Sequence, residues 1–203
     1  MNFRRPSLAA AACVASLLVL IAGCDKDKKG VEPPAELVDL KPTLAVQKLW
    51  DTGVGGGGEK LRLALGLALD RGVLYTAARD GEVIALDPAS GRAKWSQDTK
   101  ADLAAGPGVG ASLVAVGTSD GKVIALDVAS GKVLWQASVS SEVLSAPLVT
   151  GDRVIVRSVD GRVHALDALT GKSQWTGEEP VPKLSLRGTA PPVLAKDNVI
   201  AGF

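Results

Sequence analysis

Chemistry in this chain of 203 residues would have to come from few side chains. There is one histidine, His164, and there are two cysteines, Cys13 and Cys24. An imidazole can act as general base, proton shuttle or metal ligand, and a thiolate can be a nucleophile or a metal ligand. Carboxylates recur at Asp80, Asp120 and Asp160 and again at Asp87, Asp127 and Asp167, where acid–base work or a hard cation would use them. The run Gly53-Val54-Gly55-Gly56-Gly57-Gly58-Glu59-Lys60 superficially suggests a loop that cradles phosphate. It lacks the Gly-Lys-Ser/Thr ending and no helix is expected after it, so it reads as a loose connecting loop. His164 stands where Ile84 and Ile124 stand at intervals of forty residues, which predicts a packed or rim imidazole rather than a base or ligand. No nucleophile with an adjacent base stands out. No catalytic, cofactor-binding or metal residue is therefore assigned, and no cofactor is expected.

The cysteines have a different use. Arg4 and Arg5 precede an apolar run from Leu8 to Ala22 that ends Leu20-Ile21-Ala22-Gly23-Cys24. A basic start, a short apolar stretch and small residues before the cut describe a secretory signal, and the run is short for a membrane span. Small residues directly before a cysteine resemble the lipobox of bacterial lipoproteins. That resemblance implies that residues 1–23 are a signal peptide, that Cys24 carries lipid, and that the mature chain keeps no thiol. Residues 24–46, charged and proline-bearing, read as a flexible tether. Loss of Arg4 and Arg5 leaves 21 basic against 22 acidic residues, a balance that implies no basic patch for nucleic acid.

Forty-residue self-similarity explains the aspartates. Asp80-Gly81, Asp120-Gly121 and Asp160-Gly161 share a register with Ala85-Leu86-Asp87, Ala125-Leu126-Asp127 and Ala165-Leu166-Asp167. Gly91, Gly131 and Gly171 follow, and then Trp95, Trp135 and Trp175. Asp-Gly between two apolar runs predicts a hairpin with a type I′ turn. The later glycine predicts a longer turn with a left-handed residue. Strands such as Val123-Ile124-Ala125-Leu126 are apolar on both faces, as a sheet covered on both sides requires. A four-stranded unit of this length, repeated, is the description of a β-propeller blade. The predicted fold is all-β, with three complete blades at about 61–98, 101–138 and 141–177 and part of a fourth at 186–203, within a partial propeller over 47–203. Propellers close with typically four to eight blades, so the chain is expected to be the N-terminal part of a longer protein, an open arc of an eight-bladed ring. Trp50 is expected to lie on an outer strand that completes the last blade.

The repeat resembles the quinoprotein-like type, which implies that each Trp packs against the next blade. Lipobox, tether and repeat together resemble the BamB family, the propeller lipoproteins of the outer-membrane β-barrel assembly machinery. The specific element lies where the repeat breaks: Trp95 to Pro107 and Trp135 to Pro147 each span twelve residues, but Trp175 to Pro191 spans sixteen. The excess must form a longer inter-blade loop, and it contains Leu184-Ser185-Leu186-Arg187-Gly188, which is similar to the family's motif at that place. The resemblance implies a non-enzymatic scaffold at the periplasmic face of the outer membrane, docking to the periplasmic domains of BamA through Leu184, Leu186 and Arg187. Unfolded outer-membrane proteins are a further implied partner. Asp25 after the lipidated cysteine would favour inner-membrane retention under the enteric sorting rule. Two other readings share the repeat: a quinoprotein dehydrogenase, and a propeller lipoprotein bound to another envelope protein.

Overall fold

The computed structural model describes residues 34–39, 41, 43–58, 61, 63, 65–180 and 190–203. The signal segment, Cys24, Leu184, Leu186 and Arg187 lie outside the described residues. Two units are present, Met1–Val46 and Gln47–Phe203. In the first, the described residues carry no helix or strand and are exposed. No described helix is long and apolar enough to cross a membrane.

In the second unit the regular structure among the described residues is entirely strand. Four antiparallel sheets follow one another along the chain. The first holds β1 (Leu67–Asp70), β2 (Val73–Ala77), β3 (Glu82–Leu86) and β4 (Ala93–Asp98). The second holds β5 (Leu103–Gly110), β6 (Leu113–Thr118), β7 (Lys122–Asp127) and β8 (Val133–Ser138). The third holds β9 (Leu148–Val149), β10 (Arg153–Arg157), β11 (Arg162–Asp167) and β12 (Ser173–Glu178), and a hairpin of β13 (Val193–Ala195) and β14 (Asn198–Ile200) begins the fourth. Within each, strand order follows chain order. This is the blade meander that the repeat predicts.

Stacking supplies the stability. Tyr75, Val83 and Ala85 of the first sheet share a cluster with Leu103, Val114, Val116, Ile124 and Leu126 of the second. Leu113, Ala115, Val123, Ala125 and Trp135 on the second sheet's other face meet Val154, Val156 and Leu166 of the third. Ile155, Val163 and Ala165 turn the third sheet's far face toward Val199 and Ala201. Val123, Ile124, Ala125 and Leu126 are all fully buried, consecutive residues on opposite faces, as the expectation of a doubly covered strand requires. Each such Val, Leu or Ile contributes about 1.5–3 kcal/mol by leaving water.

The turns differ from the sequence expectation in type. Gly81, Gly121 and Gly161 have positive φ (104°, 76° and 88°), but the aspartates before them do not. Gly81 N–H donates to Ala78 O at 3.2 Å and Ala78 N–H to Glu82 O at 2.8 Å. The loop is thus the three residues Arg79-Asp80-Gly81, a type I turn followed by a left-handed glycine, and not a two-residue type I′ turn. Aspartate is kept for its side chain: Asp120 accepts from Thr118 Oγ1 and Asp160 from Ser158 Oγ, each at 2.5 Å. Type I′ geometry occurs instead between the first two strands, at Arg71-Gly72 (45° and 72°) and at Ala111-Ser112 (46° and 68°).

The later turn is as expected, with Gly91, Gly131 and Gly171 at φ 68°, 72° and 69°. These glycines also receive the tryptophans. A Cβ at Gly91, Gly131 or Gly171 would stand 2.5 Å from Cε3 of Trp50, Trp95 or Trp135 respectively. The indole N–H of each donates to a carbonyl of the same turn, at Pro88, Val128 and Ala168 (2.9, 3.0 and 2.8 Å). Every one of these three tryptophans therefore locks onto the following sheet. Trp50 treats the first sheet as Trp95 treats the second, but residues 43–58 carry no strand, so the contact is made without the outer strand expected there.

Candidate partner-docking rim

One end of the sheets gathers the Asp-Gly turns and the inter-sheet connectors. They are laced by backbone hydrogen bonds repeated in register: Thr99 N–H to Gly81 O, Val139 N–H to Gly121 O and Glu179 N–H to Gly161 O, at 2.9, 2.8 and 3.0 Å. Returning bonds run from Ser119 N–H to Asp102 O and from Val159 N–H to Glu142 O, at 3.1 and 3.0 Å. The third connector leaves this rim at Glu179 and enters β13 after Ala190 and Pro191. Leu184, Leu186 and Arg187 fall between those two stems.

The rim is polar and rich in ion pairs. Arg79 bridges Asp102 at 3.0 Å and donates to Ser119 Oγ at 3.1 Å, tying the first turn to the second. Lys100 pairs with Asp98, Lys122 with Asp120, and Arg162 with both Asp160 and Glu178. Lys100 holds the Asp98 carboxyl below its ordinary value, and Lys122 with the Thr118 hydroxyl does the same for Asp120. Burial opposes the ionisation of Asp160, but hydrogen bonds from Ser158 and Ser140 and the charge of Arg162 outweigh it, leaving its pKa lowered. Exposed pairs of this kind are worth about 0–1 kcal/mol each, so they shape the rim's field more than its stability.

The glycine run is tied down rather than loose. Gly55 N–H donates to Glu82 Oε2 at 2.7 Å and Gly56 N–H to Asp80 Oδ2 at 2.5 Å. The amides of Gly55 and Gly56 thus face the chain's own carboxylates, the opposite of an open phosphate site. Among the described residues no group of three or more His, Cys, Asp or Glu is arranged to hold a metal ion.

His164 is buried, 7% exposed, as its isoleucine slot predicts. Sequence reasoning missed its partners. Nε2 lies 3.1 Å from both Ser140 Oγ and Ser158 Oγ, and Nδ1 lies 3.3 Å from Thr176 Oγ1. Serine beside histidine invites comparison with a hydrolase, yet the polarity is wrong. The Ser158 hydroxyl donates to Asp160, and the other imidazole nitrogen meets a threonine rather than the carboxylate that orients the histidine of a catalytic triad. Arg157 was missed too. It is 6% exposed, its Nε has no partner, and its guanidinium carbon stands 4.6 Å from the centre of the Phe203 ring. Burial pulls its pKa down. Ala77 and Gly117 fill that slot in the other repeats, so the departure is visible once the repeats are aligned.

Comparison with known proteins agrees with this architecture. A family model described as outer membrane protein assembly factor BamB matches residues 46–107 and 79–203. The chain is 41% identical over 99 residues to outer membrane protein assembly factor BamB of Pseudomonas aeruginosa, covering 49% of this chain and 26% of that protein. The namesake of Xanthomonas campestris pv. campestris is 42% identical over 99 residues, covering 44% and 24%. The chain thus spans about a quarter of the length of these relatives. The crystal structure of BamB from Moraxella catarrhalis matches with a TM-score of 0.63 at 32% identity, over 70% of this chain and 43% of that one. Stacked four-stranded sheets, tryptophan locks in a forty-residue register and a family match across the whole second unit lead to one assignment: the chain belongs to the family of outer membrane protein assembly factor BamB.

Proposed function

We propose that this protein is a non-enzymatic scaffold of the outer-membrane protein assembly complex, held at the periplasmic face of the outer membrane by lipid on Cys24 and docked to the periplasmic domains of BamA. The observation that carries the reading is the family match over residues 46–107 and 79–203, which includes the lengthened third connector. Leu184 and Leu186 are its apolar anchors and Arg187 its polar one, a combination that interfaces favour because arginine and large apolar groups gain most when desolvated together. The rim gives the loop a rigid base, since Glu179 N–H is bonded to Gly161 O immediately before it. A preorganised base lowers the entropy lost on docking. The sheets belong to a ring of eight blades.

Affinity capture from solubilised membranes tests the reading. The intact protein recovers BamA, and Leu186→Ala with Arg187→Ala reduces recovery by at least about tenfold, the loss expected of hot-spot residues worth 1–2 kcal/mol or more. Undiminished recovery by the double variant would remove the loop assignment, and failure of the intact protein to recover BamA would remove the partner.

A further inference from the structure

The bond from Ser158 to Asp160 repeats in the second sheet as Thr118 to Asp120, but the histidine beside it has no counterpart in the other two repeats and is not required by the docking reading. In the first and second sheets the same slot is filled by Ile84 and Ile124, which need no partners. In the third sheet the imidazole joins three separate pieces of chain: the connector from the second sheet through Ser140, the Asp-Gly turn through Ser158, and the outer strand β12 through Thr176. Ser158 itself is 0% exposed and its hydroxyl donates a hydrogen bond to Asp160 Oδ1 at 2.5 Å.

Those bonds suit a ring with its proton on Nε2. Because the Ser158 hydroxyl donates to Asp160, its oxygen is left to accept from Nε2–H. Nδ1 then accepts from the Thr176 hydroxyl. With a neutral ring every donor in the chain Thr176, His164, Ser158, Asp160 points the same way. A second ring proton on Nδ1 would turn the Thr176 hydroxyl into an acceptor and leave a full positive charge in a site only 7% exposed, so the cost of the cation is its burial. The charged groups around the ring do not remove this cost. Asp160 favours the cation but is already paired with Arg162 at 2.8 Å, Arg162 opposes it, and Glu178 of β12 is held by Arg162 at 3.2 Å. On the connector, Glu142 accepts from Ser141 Oγ.

We propose that His164 is a proton-operated latch: as a neutral ring it pins the 139–142 connector and strand β12 to the third sheet, and its protonation releases them. Burial holds the imidazole below its ordinary value, in keeping with this geometry. The direction is set by linkage. A histidine whose folded pKa is depressed binds fewer protons closed than open, so the closed form is fully stable above the open-state value near 6.5 and weakens as pH falls below it. Between the open-state and closed-state values each pH unit changes the opening constant by up to about tenfold.

The test combines proton NMR of the His164 ring with amide hydrogen exchange in the full-length protein, corrected for intrinsic rates, between pH 7.5 and 5. The ring signal, identified by its loss in His164→Gln, should titrate below 6.5. Protection of residues 139–142 and 173–178 should fall with pH in the natural protein. In His164→Gln and in His164→Ile, which restores the residue of the other repeats, protection should stay flat. A ring that titrates at 6.5 or above, or equal loss of protection with pH in the natural protein and whichever variant folds, overturns the latch.

Discussion

The aspartates that first suggested chemistry are structural, and the reason is visible atom by atom. Asp127 Oδ1 accepts from both the N–H and the hydroxyl of Ser130, at 2.8 and 2.6 Å. Asp87 does the same with Ser90, and Asp167 with Thr170. The hydroxyl bond is the largest influence holding each of these carboxyls below its ordinary pKa. The turn so closed presents a left-handed glycine, and it is onto that bare Cα that the preceding sheet's tryptophan packs. Gly131→Ala therefore meets two penalties together, a positive φ of 72° and a methyl 2.5 Å from Trp95 Cε3. A loss of about 2–4 kcal/mol is expected from strain and displacement of the indole, and chemical denaturation followed by tryptophan fluorescence measures it. A loss no larger than that of an exposed Gly→Ala change would show that the indole does not rest there.

At the scale of elements, period and composition located the strands because consecutive residues had to be apolar on both faces, as in Val123–Leu126. Turn type was less legible. Asp-Gly satisfies a type I′ turn and equally a type I turn with a following glycine, and the choice depends on whether the preceding residue joins the loop. Arg79 does, since its carbonyl accepts from Leu103 N–H in the adjacent connector at 3.1 Å. That contact is non-local, so local propensity could not reveal it. True type I′ geometry falls at Ala111-Ser112, which carries neither glycine nor asparagine. Both residues are exposed, so the strain serves no packing need. Ser112→Gly should stabilise the protein by about 0.5–1 kcal/mol, because glycine adopts φ of 68° without a Cβ clash. Equal or lower denaturant midpoints in that variant would contradict the turn assignment.

Over the whole molecule, each sheet is a thin layer that cannot bury its own faces, and stability comes from neighbours. Such a scaffold offers a stiff rim on which a single lengthened connector can be displayed. Attachment and docking are then separable. Cys24→Ser should abolish incorporation of labelled fatty acid into the protein, while the purified protein keeps its thermal midpoint and its capture of BamA. Fatty-acid label retained by the variant would show that Cys24 does not carry the lipid.

Repeat period, blade composition, the turn glycines, the absence of spare thiols after Cys24 and the odd length of the third connector were all determined by the sequence itself, because each depends on residue type and spacing along the chain. The tertiary structure alone decided which carbonyl each tryptophan bonds, that the glycine run is tied to Asp80 and Glu82, and that His164 joins Ser140, Ser158 and Thr176. Those partners come from stretches between 6 and 38 residues away. The tryptophan bonds and the Ser140 contact arise only when sheets stack, and the Ser158 and Thr176 contacts only when neighbouring strands pair in one register; both set distances that no local preference encodes.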